Sequence, residues 1–174
     1  MFLDIARLFL FPALMAFAAA SDLFTMTIPN RVSILLVAGF AVLAAFSGMG
    51  FQDFAWHLAA GLTVLVVAFA CFAFGWIGGG DAKVAAAAAL WFGFSHLLGY
   101  LLFASVFGGV LTLLLLQFRQ WPLPYALGSQ QWLQRLHDKE GGIPYGIALA
   151  IGALMIYPET DWVKAVDLAR FAIH

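Results

Sequence analysis

The chain has 174 residues, of which 64% are hydrophobic and only 10% are charged, and its mean hydropathy is +0.98. Because a soluble domain has roughly 25% charged residues, this chain has too few polar side chains for a water-facing surface, and its composition predicts an integral membrane protein. The net charge of −1 does not favour a nucleic-acid partner, and the single cysteine, Cys71, excludes an intrachain disulfide framework and a CxxC zinc or redox motif.

The apolar runs, taken in chain order, predict an all-α protein with six transmembrane helices. A membrane-crossing helix needs about 20 mostly apolar residues, and the first three runs satisfy this directly. Residues 84–118 contain no Asp, Glu, Lys or Arg, but one helix of that length would span on the order of 52 Å, so we expect two helices that turn near residues 94–96 and Gly99. Pro144 suits the first turn of a last helix. The predicted spans are approximately 3–21, 31–49, 54–77, 82–95, 98–118 and 143–158.

The basic residues between the spans predict which side of the membrane each loop faces. With six spans, the loops after the first, third and fifth share one side, and the loops after the second and fourth contain no Lys or Arg. Because cytoplasmic loops are enriched in Lys and Arg, we predict that the first side, with a long loop at 119–142, is cytoplasmic and that both termini lie on the periplasmic side. The basic residues that carry this prediction are Arg31, Lys83, Arg119, Arg135 and Lys139.

Two aspartates border the predicted helical core on this same side. Asp22 ends the first span and Asp81 begins the fourth, so the alternating direction of the spans returns both to one boundary. Ionisable groups at membrane depth usually face the bundle interior or a water-filled cavity, and two carboxylates there can activate water if one is the acid and the other the base. The helix dipoles favour Asp81, at a helix N-terminus, as the base and Asp22, at a C-terminus, as the acid, although a coupled pair titrates jointly.

A run of glycines precedes the second aspartate. These residues have no Cβ, so they would let an extended substrate backbone approach; they could equally serve only to separate two spans, or to pack helices through the Gly75-x-x-x-Gly79 spacing. Lys83 could pair with an aspartate or extend to the membrane interface. The glycines of the run are Gly78, Gly79 and Gly80.

Three segments resemble the type IV prepilin peptidases, a family of GxGD intramembrane aspartyl proteases. GGGDAK at 78–83 is similar to the GxGDxK signature of that family, and SDLFTMTIPN at 21–30 resembles its other motif, an aspartate followed six residues later by Ile-Pro-Asn. IPYG at 143–146 resembles its C-terminal signature. The three motifs occur in the order of the family and together extend over nearly the whole chain.

The resemblance implies a membrane-embedded aspartic endopeptidase with a GxGD-protease-like fold. Its partners would be prepilin or pseudopilin leader peptides, whose short basic leader it would remove after a glycine on the cytoplasmic side of the bacterial inner membrane, for pilus or secretion-system assembly. Asp22 and Asp81 would be the catalytic pair, with no metal or other cofactor. The residues implied to bind substrate or shape the site are Gly78, Gly79, Gly80, Lys83, Pro29, Asn30, Pro144, Tyr145 and Gly146.

The chain also departs from larger relatives, which add an N-terminal cytoplasmic domain with paired CxxC motifs and N-methylate the new pilin terminus. Because Asp22 lies so near the start of the chain and Cys71 is the single cysteine, we expect no such domain and no methylation. The compact size resembles the peptidase-only branch that serves tight-adherence (Flp) pili. The segment LFTMT after Asp22 lacks the basic residues that relatives often carry there.

Two other classes of protein remain open from the residues alone. A small proton-coupled transporter could use Asp22 and Asp81 as relay groups, although we find no internal repeat of the kind that transporters often show. A scaffold that packs other membrane proteins would account for the glycines but not for the paired acids.

Overall fold

The structure, a computed structural model, describes residues 1–123 and 130–166, and the regular secondary structure in these ranges is helical. The predicted all-α class is therefore confirmed. The helices are α1 (Phe2–Thr25), α2 (Asn30–Phe46), α3 (Phe51–Ala73), α4 (Gly79–Phe118), α5 (Gln131–His137), α6 (Tyr145–Ile156) and α7 (Asp161–Lys164), with a 3-10 turn at Tyr157–Glu159.

Three of the helices in the described ranges are long and apolar enough to cross a membrane: α1, α3 and α4. Helix α2 and the segment Tyr145–Glu159 are apolar but shorter. Large apolar side chains cover the outside of the bundle; Phe69 and Leu98, for example, are 63% and 79% exposed. An exposed apolar surface of this extent is typical of a protein that contacts lipid, so the composition and the structure agree on a membrane protein.

The helix ends differ from the predicted spans where a residue adopts positive φ. Helix α1 continues past Asp22 to Thr25 and is ended by Met26, which has φ 55 and donates its backbone N–H to the Asp22 carbonyl. Helix α3 ends at Ala73, before a turn in which Gly75 has φ 73. The predicted loop 119–142 contains helix α5, and its residues 124–129 lie outside the described residues.

Helix α4 consists of two helical parts that meet at Gly93, whose backbone is not helical (φ 55, ψ −176). A straight helix of its 40 residues would be about 60 Å long, yet Asp81, near its start, and Arg119, just after its end, line the same cavity. The chain therefore reverses at Gly93, immediately before the predicted turn at residues 94–96. We call residues 79–92 the first arm and residues 94–118 the second arm.

Helices α1 and α6 run antiparallel to each other. At one end the Gly146 N–H donates a hydrogen bond to Asp22 Oδ2 (2.7 Å). At the other end the Tyr157 hydroxyl donates to the backbone carbonyl of Arg7 (2.5 Å). We call these two ends of the bundle the aspartate end and the distal end.

The second arm of α4 returns the chain to the aspartate end by packing antiparallel to α6. At Gly108 an added Cβ would lie 2.9 Å from the Tyr145 ring, and at Gly152 one would lie 2.6 Å from the backbone nitrogen of Ala104. Glycines at such positions let helix backbones approach closely, which is a common way of packing helices in membranes.

The first arm of α4 lies at the centre of the bundle, and its residues 84–92 are all buried. Five of them, 85–89, are alanines, whose small side chains allow close helix contacts on several sides. Trp91 closes this arm near the distal end: its indole N–H donates to the Leu36 carbonyl (3.0 Å), and its own carbonyl accepts from the Trp162 indole (2.8 Å). These two hydrogen bonds hold the distal end of the first arm against α2 and α7.

Candidate active site

Asp22 lies in the last turn of α1 and is only 6% exposed. Its Oδ2 accepts the hydrogen bond from the Gly146 N–H at the start of α6. An added Cβ on Gly146 would lie 2.9 Å from Asp22 Oδ2 and 2.9 Å from Ile28 Cδ1. Only glycine therefore leaves room for the carboxylate and Ile28 to contact this point of α6.

Asp81 lies in the first turn of α4 and is half-buried. Its carboxylate interacts with the backbone N–H of Gly78 and with the charge of Asp22, and an added Cβ on Gly78 would lie 2.7 Å from Asp81 Oδ2. Among the atoms of the described ranges, its Oδ1 has no hydrogen-bond partner and is buried. The two aspartates thus come from different helices and act electrostatically on each other.

A cavity of about 810 Å³ at the aspartate end is lined by both carboxylates. Its wall combines polar groups with apolar side chains and with the backbone of the glycine-rich turn before α4. The residues that line it are Asp22, Met26, Gly75, Trp76, Ile77, Gly78, Asp81, Arg119, Arg135, Asp138, Gly141, Gly142, Ile143 and Tyr145. Two acids on one such cavity can act as a general acid and a general base.

The segment at the start of α2 packs against the start of α4 and does not line this cavity. Lys83 Nζ donates to Asn30 Oδ1 (2.9 Å), so the lysine pairs with an amide and not with an aspartate. At Gly80 an added Cβ would lie 3.3 Å from Ile28 Cβ. Pro29 is the N-cap residue of α2. These contacts bring the motif at residues 28–30 against the motif at residues 78–83, two segments whose contact the sequence did not predict.

The remaining predicted residues divide between the cavity and its surroundings. Gly79 faces the ring of Phe72, 3.2 Å from an added Cβ, and is not in contact with the cavity. Pro144 is buried and is the N-cap residue of α6. Tyr145 lines the cavity, and its hydroxyl forms a hydrogen bond with Thr112 Oγ1 on the second arm (3.1 Å).

Residues 9–113 of the chain match the type IV leader peptidase family. The chain belongs to that family. The matched range contains both aspartates and the reversal at Gly93, and it ends before residues 143–146. No curated protein and no solved structure matches the chain. The resemblance that the motifs suggested is thus confirmed at the level of the family, and the chain is a peptidase.

Two arginines of this leader peptidase line the cavity but carry no motif in the sequence. Arg119 is 6% exposed; its guanidinium donates to the carbonyls of Leu136 (2.8 Å) and Gly142 (2.7 Å). Arg135 Nη1 reaches the Phe24 carbonyl at 3.5 Å. They hold the α5 segment against the cavity, and among the ion pairs of the described residues neither arginine pairs with Asp22 or Asp81. The only hint of them in the sequence was their place among the basic residues of one predicted loop.

The sequence analysis favoured Asp81 as the base and Asp22 as the acid, because it considered only the dipole of the helix that carries each aspartate. Asp22 is near the C-terminus of α1, but its carboxylate contacts the N-terminus of α6 through Gly146. The partial positive charge of one helix end therefore opposes the partial negative charge of the other at this carboxylate. The assignment loses its basis, because both aspartates contact a helix N-terminus.

If Asp22 is catalytic, we expect Gly146→Ala to reduce peptidase activity by about 100-fold, since a displacement of a catalytic group by about 1 Å costs that much. The new methyl group would meet Asp22 Oδ2 and Ile28 Cδ1 at 2.9 Å. Turnover of a precursor by purified protein is the measurement. Gly109→Ala is the matched control, because nothing lies within 4 Å of an added Cβ there. Equal activity in the two variants would contradict the assigned role of Gly146.

Proposed function

We propose that this leader peptidase is an aspartic endopeptidase that uses Asp22 and Asp81 as its catalytic pair. The observation that carries the proposal is that two carboxylates from different helices line one cavity and interact electrostatically. Like charges in a shared site favour a state in which one carboxyl keeps a proton, and such a pair can supply an acid and a base at the same time.

The reaction that follows from this pair is hydrolysis of one peptide bond by an activated water. The ionised aspartate takes a proton as the water oxygen bonds to the scissile carbonyl carbon, and the protonated aspartate donates a proton to the carbonyl oxygen. Collapse of the tetrahedral intermediate breaks the C–N bond, and the leaving amine takes a proton from the pair. The products are a leader that ends in a carboxylate and a mature chain with a free amine.

We also propose that six helical segments cross the inner membrane, with the aspartate end toward the cytoplasm. The reversal at Gly93 divides the 40-residue α4 into two arms, and α2 and Tyr145–Glu159 are apolar. The basic residues of the predicted cytoplasmic loops include Arg119 and Arg135, which line the cavity at the aspartate end. In this arrangement the leader binds on the cytoplasmic side of the bundle, and both termini of the chain lie on the periplasmic side.

The proposed substrates are prepilins or pseudopilins whose basic leader stays in the cytoplasm while the following apolar helix enters the membrane. A basic leader is attracted to the anionic cytoplasmic leaflet, and a cavity at the end of the bundle suits cleavage at the point where leader and helix join. We assign the protein to tight-adherence (Flp) pilus assembly, without N-methylation of the product. Gly78, which bears no side chain beside Asp81, suits an extended substrate backbone at the scissile bond.

Co-expression with a precursor of this class tests the function. We expect the mass of the precursor to fall by that of its leader, with the new terminus directly after a glycine, and we expect no cleavage when that glycine is replaced by valine. An added methyl group on the product would contradict the absence of methylation. If wild-type protein leaves several such precursors uncut but carries protons into proteoliposomes, the transporter alternative is correct.

A further inference from the structure

A groove on the outside of the bundle is separate from the catalytic cavity and has no role in the mechanism above. It lies between α2 and α3, which both pack against the first arm of α4 but have little contact with each other. Its volume is about 530 Å³, and none of the residues that line it lines the cavity of the two aspartates. The first arm therefore forms the floor of a second concave surface.

Each of the three helices presents one continuous face to this groove. The lining residues of each helix follow the spacing i, i+3, i+4 and i+7, beginning at Ile34 in α2, Leu58 in α3 and Lys83 in α4. This spacing describes one face of a helix, so the groove follows the helix axes for about 10 Å. Among the described residues that line it, Ser33 and Lys83 are the polar ones. The shape and the lining therefore suit a hydrocarbon chain that lies along the bundle.

The charged side chain that lines the groove, Lys83, lies at the aspartate end. Its Nζ donates a hydrogen bond to Asn30 Oδ1 (2.9 Å), which is a neutral partner. Arg31 is exposed and lies two turns before the groove residue Ala38, on the same face of α2. Among the ion pairs of the described residues, none involves Lys83 or Arg31. The groove thus combines an apolar length with uncompensated positive charge at one end.

We propose that this groove binds an anionic phospholipid, with an acyl chain along the first arm and the phosphate at Lys83 and Arg31. Basic residues between membrane helices bind anionic lipid head groups in this way. Because Lys83 also contacts Asn30, a phosphate there would join the starts of α2 and α4. The inference does not depend on the proposed function, since Lys83 and Asp81 are two residues apart and project about 200° from each other around the helix.

A second copy of the chain has no surface with the same complementarity. Its helix would need an acidic group at the aspartate end of an exposed apolar face, where it would meet Lys83. In helices α1 to α4 and α6, the acids at that end are Asp22 and Asp81, and both line the catalytic cavity. A phospholipid supplies hydrocarbon and negative charge in one molecule.

Native mass spectrometry tests this site on the full chain, extracted from vesicles of equal parts phosphatidylglycerol and phosphatidylcholine with the same acyl chains. We expect each wild-type chain to retain one phosphatidylglycerol. Lys83→Gln keeps a donor for Asn30 but removes the charge, and should weaken retention about fivefold, which corresponds to about 1 kcal/mol per basic residue. Lys83→Arg should bind as wild type does. Lys164→Gln, at an exposed lysine of the distal end, is the charge control and should have no effect.

Ala41→Phe tests the groove itself. Ala41 lines the groove and is exposed, so the new ring fills the groove without entering the core. We expect this variant to lose the retained lipid. Ala70→Phe is the matched control, because Ala70 is an exposed alanine of α3 that does not line the groove. Added phosphatidylglycerol should raise the thermal midpoint of wild type and of Ala70→Phe, but not that of Ala41→Phe, because a ligand stabilises only a protein that binds it.

Equal retention of the two lipids would overturn the proposal, because it would mean that the groove does not recognise the head group. Retention that survives Ala41→Phe, or the absence of any retained lipid in wild type, would overturn it as well. A wild-type dimer that Ala41→Phe separates would assign the groove to a second copy instead. None of these measurements uses a precursor, so their outcome is independent of the peptidase reaction.

Discussion

Asp22→Asn and Asp81→Asn should each reduce precursor cleavage by at least about a thousandfold, the range expected when a general acid or base is removed. Asparagine has the shape of aspartate but cannot exchange a proton at neutral pH. The fold should survive Asp22→Asn, because the amide oxygen of the new side chain can still accept the hydrogen bond that Gly146 donates to Asp22 Oδ2. The measurement is the mass of a co-expressed precursor, quantified against membrane-inserted protein.

The double variant should be no worse than either single variant, because two groups that act as one unit are strongly non-additive. Asp53→Asn is the matched control: Asp53 is an acid that lines a separate cavity with Arg7 and Gly93 at the distal end, and we expect wild-type cleavage from it. Normal cleavage by Asp22→Asn or by Asp81→Asn would show that the two-aspartate mechanism is wrong. Loss of membrane insertion would assign the carboxylates a structural role instead.

Gly93→Ala should lower the free energy of unfolding by about 2–4 kcal/mol, the combined cost of backbone strain and of a steric clash. Gly93 has φ 55 and ψ −176, a conformation that residues with a Cβ rarely adopt. Its Cβ would lie 3.1 Å from the ring of His57. That ring cannot move easily, because its Nδ1 is hydrogen-bonded to the Leu90 carbonyl at 2.6 Å.

Thermal unfolding in detergent measures this effect, with Gly109→Ala as the control in the second arm of the same helix. An alanine meets nothing within 4 Å at Gly109 and favours the helix over glycine by up to about 1 kcal/mol, so that variant should be equally or more stable. Equal stability of Gly93→Ala and wild type would mean that the reversal does not depend on glycine. Activity should fall together with stability, since the reversal brings both ends of α4 to one cavity.

Much of the fold follows from the sequence because lipid limits the choices of a backbone to helices with predictable lengths. The apolar runs located α1, α2, α3 and α6 to within a few residues, and the length of residues 84–118 indicated a reversal. The ends of the helices were harder to predict. Met26 ends α1 in a left-handed conformation, which a non-glycine residue adopts only when its surroundings favour it.

The two candidate catalytic residues could be proposed from the sequence because each aspartate lies in a segment with a recognisable order of residues, at a predicted membrane boundary. The contacts that position these two side chains could not be predicted from the sequence. The contact of Gly146 with Asp22 and the hydrogen bond between Lys83 and Asn30 depend on which helices are neighbours. A sequence gives the period of each helix but not its rotation or its partner.

The sequence by itself therefore determined the solvent of this protein, its helical class, its family and its two candidate catalytic residues, because apolar content, helix length and short motifs are local properties. Only the tertiary structure decided which helix end contacts each carboxylate. It also decided that Arg119 and Arg135 line the same cavity as the two aspartates. These features arise from contacts between residues far apart in the chain, which form only when the reversal at Gly93 and the packing of α6 are both in place.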